Sequence, residues 1–205
     1  MRAQASVLTT LILTATAVAI SLALWSLFIT ISASQSEVAL TTLTISRESS
    51  RIAIAKLSVV SMSINGTDYY RILYQISTLD AQPASIYIAV LNKFTDRPMP
   101  INYTLYLLTT PYSNISNTTT LLRVGSEAVS IVSSTYVYIK PPQISEYAML
   151  SLYYKGNVNL TRIYITGKPT AFVIEVKISE LSNPWIAIFI QINKKFYQIF
   201  TQPIP

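Results

Sequence analysis

Seven carboxylates, Asp68, Asp80, Asp96, Glu127, Glu146, Glu175 and Glu180, are the residues with which this chain could do acid and base chemistry, and no two stand at a recognisable catalytic spacing. A pair could converge in the fold, as the two carboxylates of glycosidases do. The sequence singles out none, and each is expected to be a solvated charge on a loop or an edge strand. Cysteine and histidine are both absent, which removes the commonest metal ligands, the usual general base and the thiol nucleophile together. The four glycines, Gly66, Gly125, Gly156 and Gly167, are isolated from one another, so there is no Gly-rich phosphate loop. We expect no enzyme, no catalytic residue, no metal and no cofactor.

Covalent chemistry of another kind is written in five triplets. Asn65-Gly-Thr, Asn102-Tyr-Thr, Asn114-Ile-Ser, Asn117-Thr-Thr and Asn159-Leu-Thr each lack Pro at the middle position, which makes each asparagine a candidate N-glycan acceptor if the domain faces a glycosylation machinery. Asn114 and Asn117 sit in a polar loop and are the first choices; Asn65 precedes Gly66 in what reads as a tight turn. Only 12% of residues are charged against 51% hydrophobic, so the surface needs cover from glycans or from partner subunits. Fourteen tyrosines are a second excess. Tyr87, Tyr103, Tyr106, Tyr136, Tyr138, Tyr153, Tyr154 and Tyr164 fall in strand candidates, where they serve cross-strand packing, a subunit interface or a sugar-binding surface. The net charge of +6 is scattered, with Lys194-Lys195 as the densest basic pair. Nucleic-acid binding normally clusters Lys and Arg on one face, and no nucleic-acid partner is expected.

The elements that must carry these groups are of two kinds. Between Arg2 and Glu37 there is no charged residue, and the apolar run Val7 to Ile31 is long enough to cross a bilayer as a helix. Leu8, Leu11, Ile12, Val18, Leu22, Trp25 and Phe28 supply its bulk. Ala5, Ala15, Ala17, Ala19 and Ala23, with Thr9, Thr10, Thr14, Thr16 and Ser21, supply small side chains and hydroxyls that suit close helix packing in an apolar medium. A helix apolar all round is buried on all sides, in lipid or among other helices. One reading is a cleaved signal peptide ending at Ala33, although its apolar stretch exceeds the usual 7 to 15 residues. Another is a permanent anchor with Arg2 on the cytoplasmic side and Trp25 at the outer interface. The helix is expected to run from Gln4 to about Ser46, or ~65 Å at ~1.5 Å per residue, and to end at the charge cluster Arg47-Glu48-Ser49-Ser50-Arg51.

The start, Met1-Arg2-Ala3-Gln4-Ala5-Ser6-Val7, sets a basic and a small residue directly before the uninterrupted apolar helix. It resembles the class III signal of archaeal type IV pilins and archaellins, in which a prepilin peptidase cuts before the hydrophobic stretch and leaves that stretch on the mature subunit. The resemblance implies a cut between Ala3 and Gln4, a membrane-inserted precursor, and a helix that later packs in the core of a filament. Bacterial pilins carry a Glu at the position held here by Leu8; archaeal relatives commonly do without it.

From Ile52 the period changes to about two, and Asn65-Gly66 is a strong hairpin signal. Strands are expected at 52–64, 69–76, 85–91, 101–109, 118–124, 128–139, 148–154, 162–166, 170–178, 185–192 and 196–200. Pro-containing segments such as Asp96 to Pro100, Pro111 to Asn114, Lys140 to Pro142, Gly167 to Pro169 and Asn183-Pro184 read as loops. The expected fold class is therefore α+β: residues 1–3 as a class III signal, 4–46 as a hydrophobic helix, and 47–205 as an extracellular β-sandwich of about ten antiparallel strands. The function expected from the helix, the domain and the resemblance is that of a subunit of a cell-surface filament. It would be a homopolymer of identical subunits, bearing N-glycans and serving adhesion, attachment or motility. Two alternatives stay open. One is a membrane-anchored pseudo-pilin or stator-like domain that binds an S-layer or a filament base. The other is a secreted subunit cut after Ala33 whose segment Ser34 to Ile45, with strand propensity over Val38 to Ile45, is donated as a strand to its neighbour.

Overall fold

The structure is a computed structural model that describes residues 2–108, 121–125, 127–130, 136–143 and 146–204. A single long helix, α1 (Arg2–Arg51), opens the chain. No Gly or Pro interrupts it, and the first such residue is Gly66, well beyond its end. The helix continues five residues past Ser46, so the charge cluster expected as a junction is its closing segment. Arg51 lies in the last turn, where a cation complements the helix dipole. The next residue, Ile52, already belongs to a strand. The chain divides into two units between Thr44 and Ile45.

Thirteen strands follow among the described residues: β1 (Ile52–Ile64), β2 (Thr67–Thr78), β3 (Ala84–Asn92), β4 (Met99–Ile101), β5 (Thr104–Leu108), β6 (Leu121–Val124), β7 (Glu127–Ser130), β8 (Val137–Ile139), β9 (Ala148–Met149), β10 (Asn157–Ile165), β11 (Thr170–Lys177), β12 (Trp185–Ile192) and β13 (Lys195–Pro203). They form a five-stranded sheet in the order β1-β2-β11-β5-β6. A second sheet runs β7-β10-β3-β12-β13-β8-β9, with β4 paired to β3 beside β10. The pairings are antiparallel except for β13 with β8. The α+β class and the two-sheet, sandwich-like domain are as the sequence led us to expect.

The strand count is higher than the eleven segments expected because two apolar runs give two strands each. Residues 101–109 divide into β4 and β5 at Asn102-Tyr103, and 128–139 gives β7 and β8. The run 148–154 is a strand for only two residues before it becomes a 3-10 turn at Leu150–Leu152. Part of the expected strand 118–124 and the loop Pro111 to Asn114 lie outside the described residues.

Alternation along the strands builds the main core between the sheets. Ile72, Tyr74 and Ile76 of β2 and Phe172, Ile174 and Val176 of β11 face Ile86, Ile88 and Val90 of β3 and Ile186, Ile188 and Ile190 of β12. The opposite face of the second sheet is buried too: Ala89, Leu91, Ala187 and Phe189 pack under Val137, Ile139, Leu150 and Phe94. Burial on both faces explains why β3 and β12 read as near-continuous apolar runs rather than alternating ones.

Strand β10 serves both cores. Val158 and Leu160 point into the second cluster and Ile163 and Ile165 into the first, so the strand changes face at Thr161. The Tyr103 hydroxyl sits at that point. It donates to the Ile88 carbonyl, lies 2.8 Å from Thr161 Oγ1 and accepts the Thr161 N–H at 3.2 Å. Burial pushes this phenol well above its ordinary range.

Candidate functional site

The helix is where the functional residues expected from the sequence come together. Leu11, Ile12, Leu13, Val18, Ile20, Leu22, Leu24, Trp25, Leu27, Phe28, Ile29 and Ile31 are each more than half exposed, which leaves the cylinder without protein cover. Several of its hydroxyls are satisfied within the helix. Thr16 donates to the carbonyls of Ile12 and Leu13, Ser21 to Ala17, Thr30 to Ser26, and Thr42 to Val38, all at 2.8 to 2.9 Å. A polar group bonded inside its own helix presents little unpaired polarity to an apolar surrounding. Trp25 and Phe28 stack with centroids 6.0 Å apart on one face. By length and composition this helix can cross a membrane, as an anchor and a signal sequence both can. Ala3, Gln4 and Leu8 lie within its backbone, and their side chains are outside what the structure describes. The stretch Val38 to Ile45, weighed above as a donated strand, is helical, and the helix runs through Ala33 without a break.

Within the second unit the end of the helix is fastened to the β-domain. Ile45 is buried in the main core. Ser49 Oγ donates to the Ile199 carbonyl at 3.4 Å, and the Leu79 N–H bonds the Arg51 carbonyl at 2.7 Å. The Arg51 guanidinium bridges Asp80, at 2.6 Å, and Glu48, at 2.7 Å. The hydrogen bond to Arg51 holds the Asp80 carboxyl below the usual carboxylate range, and the same bond, with one to Glu48, raises the guanidinium.

The acids do not converge. Asp80 belongs to that clamp, Glu180 pairs with Lys177 at 3.7 Å, and Glu175 pairs with Arg71. Asp68, Asp96 and Glu146 are exposed, and the Glu127 side chain is outside the described residues. No group of three potential metal ligands forms among the described residues. The pair that sequence spacing missed is Arg71 with Glu175, opposed across β2 and β11. Arg71 Nε donates to Glu175 Oε2 at 2.7 Å, and the Tyr106 hydroxyl reaches Oε1 at 3.4 Å. Only the pairing register, 104 residues apart in sequence, brings these groups together.

Of the glycan candidates, Asn65 is exposed at the tip of the β1–β2 hairpin with φ 50°. Asn102 and Asn159 bond each other, Nδ2 of Asn159 donating to Oδ1 of Asn102 at 2.9 Å. Asn114 and Asn117 lie outside the described residues. The tyrosines divide by role: Tyr103, Tyr153 and Tyr154 pack, whereas Tyr136 and Tyr164 are exposed. Tyr138 stacks on Tyr197 at 4.8 Å, and Tyr147 meets Tyr197 edge-on. Beside them Lys140, Pro141, Pro142, Tyr147 and Phe200 line a shallow cleft of about 390 Å³. No protein-family model, curated protein or solved structure matches the chain.

Proposed function

We propose that this chain is a structural subunit of a cell-surface filament, polymerising through α1 and exposing the β-domain. The observation that carries the proposal is the helix, apolar on every side and uncovered from Leu11 to Ile31. In water such a surface is unfavourable by ~25 cal/mol per Å², so it calls for lipid first and for neighbouring copies of itself after assembly. The start Met1 to Val7, similar to a class III signal, adds the processing step that releases a membrane-held precursor to polymerise. The β-domain, poor in charge and bearing sequons, suits an extracytoplasmic surface solubilised by glycans. No catalytic role, cofactor or nucleic-acid partner enters this reading.

A membrane-anchored binding domain is the second reading, and the self-bonded hydroxyls favour lipid as much as neighbouring helices. Two measurements separate the readings, one on native protein and one on a variant. The first is the mature N-terminus, expected at Gln4; an intact Met1 to Ala5 peptide supports the permanent anchor, and a start at Ser34 removes the helix from the mature protein. The second is electron microscopy of cells expressing Leu22→Lys. A lysine at the middle of the apolar stretch costs ~2.5–3.5 kcal/mol in a bilayer, and filaments are expected to disappear. Filaments that persist in cells carrying only this variant overturn the proposal.

A further inference from the structure

Among the described residues the two sheets have four lateral edges, and three are blunt: β6 and β7 are four residues long there and β9 is two. The fourth is β1, thirteen residues long and paired on one side only among the described residues. Short edge strands, bulges and inward charges are the usual protections against edge-to-edge pairing. On β1 such protection covers one half. Lys56 and the register shift between Lys56 and Ser58 disturb the first part of the strand. Beyond them Ser58-Val59-Val60-Ser61-Met62-Ser63-Ile64 runs to the turn with no charge, no Pro and no bulge.

We propose that this seven-residue window is an interface between two copies of the chain, paired β1 to β1 antiparallel about a twofold axis at Ser61. The window suits pairing with itself. Centred on Ser61, it sets Val60 against Met62 of the second copy, Val59 against Ser63 and Ser58 against Ile64, so no like charges oppose one another. It ends at the bulge on one side and at Asn65-Gly66 on the other, so a twofold pair uses all seven residues and stops at a structural boundary in both directions. Lys56 lies just before the window and Asp68 just after the turn, both exposed. Antiparallel pairing brings the lysine end of each copy to the aspartate end of the other. A contact of seven residues is small, and it gains strength when copies are already concentrated, as on a membrane or in a filament. It uses no residue of the apolar helix. A glycan on Asn65, next to the window, would oppose it.

Because the chain has no cysteine, a single introduced one is a unique reporter. Ser61, Ser63 and Ser182 are exposed, and each is replaced by Cys in the full-length chain in detergent, then oxidised and resolved on a non-reducing gel. Facing residues of an antiparallel pair are ~4.5–5.5 Å apart at Cα, within disulfide range. Ser63 faces Val59 of the second copy, which leaves the two Ser63 positions four residues apart along the strands, ~13 Å and out of range. Ser61→Cys is expected to form disulfide dimers in several-fold higher yield than Ser63→Cys or the remote Ser182→Cys. Equal yields at the three positions, as unregistered association of the helices in one micelle would produce, overturn the proposal, and so does the absence of a dimer at Ser61. The preference for Ser61 is expected to survive Leu22→Lys, so failure of helix assembly and failure of the β1 contact are read separately.

Discussion

Arg71 is a guanidinium with no exposed surface in a domain otherwise built on isoleucine. Its partner Glu175 is nearly as deep, and the Tyr106 ring lies under the guanidinium at 5.8 Å. Such a pair gains little over an apolar isostere, but removing one member strands the other's charge, at a cost of ~3–5 kcal/mol. Glu175→Leu is therefore expected to lower stability by about that amount in a chemical melt followed by tyrosine fluorescence, and the double change Arg71→Met with Glu175→Leu to recover most of the loss. At this scale the sequence was only partly legible. Strand residues and their alternation could be read, because side-chain direction has a period of two. Pairing register could not, so neither Arg71 opposite Glu175 nor the bond between Asn102 and Asn159 could be seen. The same is true of Tyr103, which a reading by residue type placed among fourteen similar tyrosines. Its place at the face change of β10 depends on three segments meeting.

Among the elements, β1, β2, β3, β11 and β12 lie where composition puts them, within two residues at each end. The Asn65-Gly66 turn has both residues at positive φ, 50° and 75°, as a type I′ hairpin requires. The helix end was misplaced because its stop signal is tertiary. Ser49, Ser50 and Arg51 carry no breaker, and what fixes them is Asp80, 29 residues further on. Gly167 is a similar case: at φ 88°, a Cβ there would lie 2.1 Å from the Ala81 carbonyl oxygen, so the turn before β11 touches the turn before β3. The clamp gives a pH prediction. Asp80 holds its proton less tightly when folded than when unfolded, so its contribution is complete above the ordinary aspartate range, ~4, and is lost as pH falls through its lowered folded value. Hydrogen exchange at the Leu79 amide and in residues 47–51 is expected to rise in Asp80→Asn at neutral pH. The wild type is expected to approach that variant only in strong acid, with exchange rates corrected for pH; equal protection in both at neutral pH would count against the clamp.

For the molecule as a whole, the division at Thr44/Ile45 differs from the composition boundary at residue 46 or 47 by little in sequence but by a buried side chain in energy. Ile45 is 7% exposed, and burying such a side chain is worth ~1.5–3 kcal/mol. A fragment 45–205 is expected to unfold cooperatively, and a fragment 52–205, which also lacks Ser49 and Arg51, to melt several degrees lower. Equal melting temperatures would show that the helix end adds nothing to the domain. The two-part architecture was legible because the composition changes so sharply between Ile31 and Ile52. The assignment of strands to sheets was not, since sheet order depends on non-local pairing that no local pattern encodes.

No loop separates Arg51 from Ile52, and this has a mechanical consequence. A tensile load carried along α1 meets no compliant spacer before the first rung of the β1–β2 ladder, Ile52 opposite Thr78. Load entering there falls first on the Ile52–Thr78 end of the hairpin. The Arg51–Asp80 bridge and the bond from Leu79 to Arg51 straddle that first rung and tie the helix end to the far strand. Force is thereby shared between both strands at the point of entry, and the clamp serves as strain relief for the joint.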